Sequence, residues 1–359
     1  MVNYIGTARL RTLVARQGVA LFMEALAGEI ESDYRRWGEF DKSARHACHS
    51  PGGVIELMPT SDGQLYSFKY VNGHPRNTAA GLLTVTAFGV LADVATGYPM
   101  LLSEMTFVTA LRTAAMSALA ARYMARPGCR SMALVGNGAQ SEFQAVAFHH
   151  MLGIRELRLF DTDAEATAKL KLNLEALGLP GLTLRSCASV AEAVRGADIV
   201  TTATADKRNA LILTPEMIET GMHLNAVGGD CPGKTELHAE ILRRPDARIV
   251  VEFEPQARIE GEIQQLDAAA SVVELADVVS GKSPARLAAA DVSIFDSVGF
   301  ALNDFSSLRY LHRLDRELAG GSVIDLIPSL DDPKDLFGEL KLGSSRPKSR
   351  TPAFEGSVA

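Results

Sequence analysis

A glycine turn followed at a fixed distance by an acid is the feature of this sequence whose spacing indicates a definite chemistry. An apolar run at 132–135 enters a turn containing Gly136 and Gly138, a segment with helical spacing follows, and a second apolar run ends at Asp161. Gly136 permits a sharp turn, Gly138 lets the backbone approach a pyrophosphate, and the acid is spaced to bind ribose hydroxyls. The pattern predicts a strand–helix–strand unit that binds a dinucleotide, although Ser141 occupies the place of the third glycine. A purely structural strand–helix turn is the alternative.

A second glycine-rich turn, Gly228-Gly229-Asp230, follows another predicted strand. Ligands of open α/β sheets bind at the carboxyl ends of the strands, so Asp230 is placed to present a carboxylate to a ligand. An ordinary turn stabilised by aspartate is the alternative. A third loop, Asp296-Ser297-Val298-Gly299, follows the last predicted strand and is expected to approach the same ligand.

Charged residues also lie within apolar segments of the N-terminal third. Glu56 and Lys69 interrupt strand-like runs, and Arg112 lies at the head of a helix built of alanine, threonine and leucine. A buried charge must be paired or used, which makes Arg112 a candidate functional residue. For Glu56 and Lys69 the alternative is a position on the solvent face of a strand. Arg45 lies in a polar stretch and, taken alone, is predicted to be a surface residue.

The elements that must position these residues begin with a helix and an antiparallel sheet. Apolar residues at three- and four-residue steps predict an amphipathic helix over 19–40. Short turns then separate strand-like runs, which indicates antiparallel pairing. These strands are predicted at 53–58, 65–71, 82–92 and 99–104, and an alanine-rich helix at 109–125.

The middle of the chain, from about 126 to 299, alternates strands with helices. Such alternation predicts a parallel sheet with helices on both faces. The strands are predicted at 132–135, 157–160, 182–185, 199–203, 223–227, 249–252 and 292–296. A helix over 302–319 is expected to pack back on the first part of the chain, which would make that domain discontinuous. The polar segment 343–359 is predicted to be a disordered tail.

Composition and cysteine usage exclude several function classes. The 359 residues are 47 % hydrophobic and 22 % charged, as in a soluble two-domain protein, and the net charge of −7 argues against a nucleic-acid partner. The four cysteines show no paired spacing, and neither a signal peptide nor a membrane segment is recognisable, so we predict a cytoplasmic protein with free thiols. Histidines at 46, 49, 149 and 150 have no partner cluster, and we predict no metal site.

Several different motif-length stretches, spread along the chain, together match the pattern of a known protein family. They are Asp-Lys-Ser-Ala-Arg at 41–45, Gly-Val-Ile-Glu-Leu-Met-Pro at 53–59, the runs 68–75 and 111–114, Gly-Asn-Gly-Ala-Gln-Ser-Glu-Phe at 136–143, and the runs 224–237, 258–266 and 295–302. With them the sequence resembles the ornithine cyclodeaminase/mu-crystallin family, in particular its bacterial ornithine cyclodeaminase branch. The resemblance extends from the first helix to about residue 337.

The resemblance implies an α/β enzyme that converts L-ornithine to L-proline and ammonia. It implies a Rossmann-type NAD domain at 126–299 and a discontinuous α+β domain, at 1–125 and 300–342, for substrate binding and homodimerisation. In the family, NAD takes a hydride from the α-carbon, the δ-amine attacks the resulting imine, ammonia leaves, and the hydride returns. NAD is therefore recycled with no net redox change. Asp161 lacks a neighbouring arginine, which favours NAD over NADP.

The resemblance also implies roles for individual residues. Asp230 would be the general acid and base for the substrate amines, and Glu56 would bind or polarise the substrate or a water. The substrate carboxylate would be held by Arg45, Lys69 and Arg112, with Val298 at the substrate through its backbone. The NAD contacts would come from both glycine turns and their neighbours: Thr84, Arg112, Gly136, Gly138, Ala139, Gln140, Asp161, Thr204, Val227, Gly228, Gly229, Lys234 and Ser297.

Two other functions remain open at this stage. One is a net oxidoreductase of the same family, a ketimine reductase or amino-acid dehydrogenase that uses NAD(P). The other is a non-enzymatic ligand-binding protein like mu-crystallin. Lysine or another diamino acid also remains open as the substrate, because one methylene in a pocket changes binding by only about 1–3 kcal/mol.

Overall fold

The chain contains two β-sheets. One is formed mainly by the successive strands of the N-terminal part, and the other by the segment that alternates strands with helices. The computed structural model describes residues 1–205, 211–318 and 320–340. The strands are β1 (Val2–Ile5), β2 (Asp41–Lys42), β3 (His46–Ser50), β4 (Gly53–Ser61), β5 (Leu65–Gly73), β6 (Val85–Asp93), β7 (Pro99–Glu104), β8 (Ser131–Val135), β9 (Glu156–Phe160), β10 (Thr183–Ser186), β11 (Ile199–Thr202), β12 (His223–Ala226), β13 (Ala247–Val251), β14 (Val273–Glu274), β15 (Val292–Asp296) and β16 (Ser322–Ile324).

Helices cover both sheets. The α-helices are α1 (Thr7–Gln17), α2 (Val19–Arg35), α3 (Thr106–Met124), α4 (Ser141–Leu152), α5 (Ala164–Leu177), α6 (Val190–Val194), α7 (Ala239–Leu242), α8 (Glu254–Glu260), α9 (Leu275–Val279), α10 (Ala301–Glu317) and α11 (Leu336–Glu339). Short 3₁₀ turns lie at Trp37–Glu39, Pro75–Ala80, Pro215–Met217 and Glu262–Gln265. In the described part of the chain, each helix is too short or too polar to cross a lipid bilayer.

The first sheet has the order β16-β1-β7-β6-β5-β4-β2, with β3 paired to β4. Its central strands β4 to β7 pair antiparallel, as the short turns predict. Alternate side chains of β4 and β5 face a layer of helices, and this period places Glu56 and Lys69 on the buried face. α10 lies against that face: a side chain at Gly89 of β6 would meet Leu308 at 3.1 Å. The expected return of this helix to the first part of the chain is confirmed.

The second sheet is parallel throughout and has the order β10-β9-β8-β11-β12-β15-β13-β14. Strands β8, β11, β12 and β15 are buried along their whole length, because helices cover both faces. The predicted α/β fold class with a Rossmann-type sheet is confirmed. The carboxyl ends of these strands form one edge, where the glycine turns lie.

Some predicted bounds differ from the structure. The helix predicted over 19–40 ends at Arg35 and gives way to the turn Trp37–Glu39. The strand predicted from residue 82 begins at Val85, because Gly81, at φ +71°, closes the 3₁₀ turn just before it. β1, α1 and β14 are elements that the apolar patterns did not predict. The predicted tail at 343–359 lies outside the described residues.

Candidate active site

The first glycine turn follows β8, and the backbone conformation of this turn is tightly constrained. Gly136 has φ +93°, and a Cβ there would lie 2.5 Å from the carbonyl oxygen of Ala203. Only glycine fits this position, since the backbone is left-handed and the space is filled. Gly138 differs, because no atom lies within 4 Å of the position that its Cβ would take. The open space above Gly138 is where a pyrophosphate could approach the backbone.

Ser141, the residue in place of the third glycine, stabilises this turn directly. It is fully buried, and both its backbone N–H and its hydroxyl donate to the carbonyl of Gly138, at 3.2 and 2.7 Å. It is also the first residue of α4, whose N-terminal N–H groups favour an anion. Gln140 ties the turn to α3 by donating to the carbonyl of Ala110 at 3.1 Å, while Ala139 is exposed.

Asp161 lies beside the same turn, at the end of β9. Its Oδ2 accepts from the backbone N–H of Asn137 at 2.5 Å, and its Oδ1 accepts from the backbone N–H of Asp163 at 2.9 Å. The acid and the glycine turn are therefore brought together as the spacing predicts. Open backbone at Gly138, a helix N-terminus and a neighbouring acid fit a dinucleotide.

The second glycine turn is held by a buried acid that the sequence reasoning did not identify. Glu236 accepts from the backbone N–H of Thr204 at 2.8 Å, from its hydroxyl, and from the N–H of Gly228 at 3.1 Å. A Cβ at Gly228 would overlap the Glu236 carboxylate, and one at Gly229 would lie 2.7 Å from Glu262 Oε1. Both glycines are required because these carboxylates lie against the backbone.

Asp230 is the exposed acid of this turn, with about half of its side chain accessible. Its Oδ1 lies 3.3 Å from Lys234 Nζ, which also donates to the carbonyl of Thr204 at 2.9 Å. Burial lowers the pKa of Lys234, but the carboxylates of Asp230 and Glu236 outweigh burial and raise this pKa overall. Val227 joins the turn to β11 by donating to the carbonyl of Thr202 at 2.9 Å.

Arg45 is buried among acceptors, and its prediction as a surface residue is wrong. Nη1 donates to Glu56 at 2.9 Å, and Nη2 donates to the carbonyls of Val298 at 2.6 Å and Gly299 at 2.7 Å. Nε lies 3.1 Å from Glu260 Oε2. Since a guanidinium has five N–H donors, one N–H on Nη1 remains for a further acceptor.

Lys69 and Arg112 share a single carboxylate from α10. Lys69 Nζ lies 2.8 Å from Asp304 Oδ2, and Arg112 Nε lies 3.1 Å from Asp304 Oδ1. Burial and the positive charge of Arg112 lower the pKa of Lys69 to about 8, with Asp304 acting in the opposite direction. The solvent-face alternative is wrong for both Lys69 and Glu56, whose side chains are buried.

The loop after β15 contacts both groups of charged side chains, the one around Arg45 and the one around Arg112. Ser297 donates from its backbone to the carbonyl of Ala226 at 2.9 Å, which ties this loop to the second glycine turn. Gly299 has φ +76°, and a Cβ there would lie 2.8 Å from Arg112 Nη1. Val298 and Gly299 therefore lie between Arg45 and Arg112. Thr84 precedes β6, and its carbonyl accepts from the backbone of His74 and the side chain of Asn72 rather than from the glycine turns.

The sequence reasoning missed most of the acids that hold this site. They are Glu236, Glu252, Glu260, Glu262 and Asp304, each nearly or fully buried; Asp296, also buried, belongs to the loop at 296–299 that the sequence predicts near the ligand. Glu260 and Asp304 lie inside helices, where an acid is ordinarily assigned to the solvent face, so the pattern alone carries no signal for them. Among the described residues, no three or more His, Cys, Asp or Glu side chains are grouped to hold a metal ion.

Known proteins are similar to this chain over most of its length. The model of the ornithine cyclodeaminase/mu-crystallin family matches residues 9–317. An ornithine cyclodeaminase of Brucella suis is 56 % identical over 340 residues, which cover 95 % of this chain and 94 % of the relative.

Two solved structures resemble the whole chain. A lysine cyclodeaminase, described for its recognition of L-lysine, L-ornithine and L-2,4-diaminobutyric acid, has a TM-score of 0.84 at 28 % identity and covers 89 % of this chain and 94 % of its own. An archaeal alanine dehydrogenase dimer with bound NAD has a TM-score of 0.82 at 27 % identity and covers 91 % and 99 %. These similarities span both sheets.

Proposed function

The chain belongs to the ornithine cyclodeaminase/mu-crystallin family, and from this we propose that it converts L-ornithine to L-proline and ammonia with NAD as a recycled cofactor. The observation that carries the proposal is the sharing of one carboxylate, Asp304, by two buried cations, Lys69 and Arg112. Asp304 engages Arg112 through Nε alone, so both Nη groups of Arg112 remain for a substrate carboxylate. The relatives that are 56 % identical support ornithine as the amino acid.

NAD fits the edge formed by the two glycine turns. When bound, NAD would supply a hydride acceptor for the α-carbon of the amino acid and a hydride donor for the cyclic imine. Gly138 leaves room for the pyrophosphate, and Asp161 accepts from the ribose hydroxyls and disfavours a 2′-phosphate. The further contacts that we propose come from Thr84, Arg112, Gly136, Ala139, Gln140, Thr204, Val227, Gly228, Gly229, Lys234 and Ser297.

The substrate carboxylate is proposed to bind between the cations. Arg112 offers both Nη groups because its salt bridge to Asp304 uses Nε, and a guanidinium fork suits a carboxylate. Lys69 adds a point charge, and Arg45 adds its remaining N–H. Val298, fixed by Arg45, would contact the substrate through its backbone.

Asp230 is proposed to take and return the protons of the substrate amines. An amine must lose its proton before it can attack an imine, and a carboxylate within hydrogen-bond reach accepts that proton, which contributes roughly 10²–10⁴-fold. Glu56 Oε1 is buried and, among the described residues, has no hydrogen-bond partner. It is therefore available to bind the substrate or a water. Ring closure is intramolecular, so the site need only fold the substrate and exclude water.

We further propose that the chain forms a homodimer through the outer face of the first sheet. Leu57, Tyr70 and Phe88 lie side by side on β4, β5 and β6, and the rings of Tyr70 and Phe88 stack at 5.0 Å. Ile55 and Tyr66 extend this exposed apolar surface, which is unusual for a face left in water. In this proposal residues 126–299 hold NAD, while 1–125 and 300–342 bind the substrate and the second copy. The cysteines of the described residues form no disulfide, which suits a cytoplasmic location.

The decisive experiment gives the purified protein L-ornithine with a substoichiometric amount of NAD. We expect ammonia and proline in equal amounts, many turnovers per NAD, and no accumulation of NADH. NADH formed in step with ammonia would instead identify an amino-acid dehydrogenase, the activity named for the structurally similar archaeal protein. Parallel reactions with L-lysine and L-2,4-diaminobutyrate assign the chain length of the substrate. Amino-acid binding without turnover would indicate a ligand-binding protein.

A further inference from the structure

Glu260 is a buried acid at the last position of α8, and it reaches into the candidate site. Only 4 % of it is exposed, and its Oε2 lies 3.1 Å from Nε of Arg45. The next residue, Gly261, has no room for a side chain, because the Asp296 carboxylate occupies the position that a Cβ would take. The end of the helix is thereby fixed against β15, and the Glu260 carboxylate is held toward Arg45.

The other contacts of Arg45 use its Nη groups and come from other elements of the fold. Glu56 on β4 takes Nη1, and the carbonyls of Val298 and Gly299 take Nη2. Glu260 alone faces Nε in the described residues, and it does so as an ion pair without the geometry of a directed hydrogen bond. Glu260 is therefore the contact of Arg45 that depends on charge rather than on a hydrogen bond, and its attraction for Nε helps to set the orientation of the guanidinium group.

We propose that Glu260 is a positioning residue: its ionised carboxylate fixes the Arg45 guanidinium in the orientation that receives the substrate carboxylate, and protonation of Glu260 weakens substrate binding. This inference rests on the proposed function, because it takes an amino-acid carboxylate as the ligand of Arg45. Glu260 acts through Arg45 and is not itself placed at the reacting atoms.

The surroundings of Glu260 make its protonation accessible near neutral pH. The charged and polar groups that face it are Arg45, Glu56 on β4, Asp230 on the loop after β12, and Gln256 on its own helix. Burial raises its pKa, Arg45 lowers it, and the two neighbouring acids raise it again, to about 7. Below that pH the carboxyl is neutral and its attraction for Arg45 is lost. Substrate binding should therefore weaken as the pH falls through about 7.

The test compares three proteins between about pH 5.5 and 8, a range that brackets the pKa of Glu260. They are the natural chain, Glu260→Gln, and the matched control Glu254→Gln, which loses an ion pair with Arg258 at the other end of the same helix. We expect the KM for L-ornithine of the natural chain to rise about tenfold toward the acid end, with kcat changing much less. Glu260→Gln should have a raised KM that stays flat with pH, and Glu254→Gln should follow the natural chain. If KM depended on pH equally in the natural chain and in Glu260→Gln, the inference would be overturned.

A double-mutant cycle tests whether Glu260 acts through Arg45. Arg45→Lys removes the Nε group, so adding Glu260→Gln to it should change KM by less than about twofold if the two residues act as a unit. Fully additive effects would overturn the inference. If Glu260→Gln does not fold, Glu260→Asp keeps the charge and should retain the acid-side rise in KM; a flat profile in this variant would count against the positioning role.

Binding of L-proline, followed by calorimetry over the same pH range, separates this inference from the proposed function. No ammonia from L-ornithine, combined with an affinity for L-proline that weakens below about pH 7 only when Glu260 is present, would overturn the proposed function alone. Turnover with a flat KM would overturn the role of Glu260 alone. A protein that binds neither amino acid would overturn both.

Discussion

Lys69 Nζ lies 2.8 Å from Asp304 Oδ2, which joins the middle of β5 to the first turn of α10 across most of the chain. Arg112 of α3 reaches the other oxygen of the same carboxylate. Neither Lys69 nor Asp304 is explained by its own segment, since each is a charge on a buried face. Together with Arg112 they form one buried cluster, which we propose as the binding site for a substrate carboxylate.

Loss of the positive charge of Lys69 should weaken substrate binding at alkaline pH and so set an alkaline limit to this binding. Its pKa is lowered from 10.5 to about 8, so the ammonium is lost above about pH 8 and the KM for L-ornithine should rise there, approaching tenfold per pH unit. The same lowering of the pKa of Lys69 determines how the free energy of unfolding depends on pH. Between about pH 8 and 10.5 the unfolded chain binds more protons at this lysine than the folded chain, so the contribution of Lys69 to the free energy of unfolding rises with pH.

Lys69→Arg is the matching substitution for this limit, because a guanidinium stays charged above pH 12. In this variant the rise in KM above pH 8 should disappear, whatever its KM at neutral pH. Lys282→Arg, at an exposed lysine, serves as the control and should keep the natural profile. An unchanged alkaline rise in Lys69→Arg would assign that limit to another group, such as the substrate amine.

The two glycines of the first turn should respond differently to a methyl group. Gly136→Ala must place a Cβ at φ +93° against the carbonyl of Ala203, and we expect it to lower the free energy of unfolding by more than about 1 kcal/mol. Gly138→Ala meets open space and should leave the unfolding free energy within about 0.5 kcal/mol while weakening NAD binding. Chemical denaturation and calorimetric titration with NAD measure the two effects. Unchanged NAD affinity in a folded Gly138→Ala protein would contradict the placement of the pyrophosphate.

Local sequence patterns predict much of this fold, because the strands are short apolar runs bounded by turn residues. The runs at 99–104 and 292–296 have the same bounds as β7 and β15. Local sequence patterns do not predict β1 and β14, and the reason is physical. Each is an edge or near-edge strand of two to four residues whose stability comes from pairing with a distant segment, as β1 pairs with β7 and β16.

The candidate site was less predictable than the fold. The residues that we propose to contact a ligand carry motif signals, such as the glycine turns and the acid at position 230. The residues that hold them do not, because Glu236, Glu260 and Asp304 become neighbours of the site only through tertiary packing. Arg45 shows the same limit: in sequence it lies in a polar stretch, and it is buried by Glu56, Glu260 and the 298–299 loop, which come from other parts of the chain.

Asp230 should be needed for turnover more than for binding. Asp230→Asn keeps the shape of the turn but cannot accept an amine proton, so kcat for ammonia release should fall by roughly 10²–10⁴-fold. NAD and L-proline should bind within a few-fold of the natural affinity by calorimetry. Asp246→Asn, which breaks a surface ion pair with Arg244, is the matched control and should leave kcat unchanged. If Asp230→Asn turned over at the natural rate, another group would have to carry the proton.

A charge on the outer face of the first sheet should dissociate the proposed homodimer. Phe88 is 43 % exposed and lies in one row with Tyr70 and Leu57 across three strands, so Phe88→Glu would place a carboxylate at the centre of the contact. We expect the dissociation constant of the dimer to rise by roughly 30-fold or more. Light scattering after size-exclusion chromatography should give twice the 38.4 kDa chain mass for the natural protein and a shift toward one chain for the variant. Leu172→Glu, at an exposed leucine of α5, should leave the mass at two chains, and a natural protein that elutes as a single chain would refute this interface.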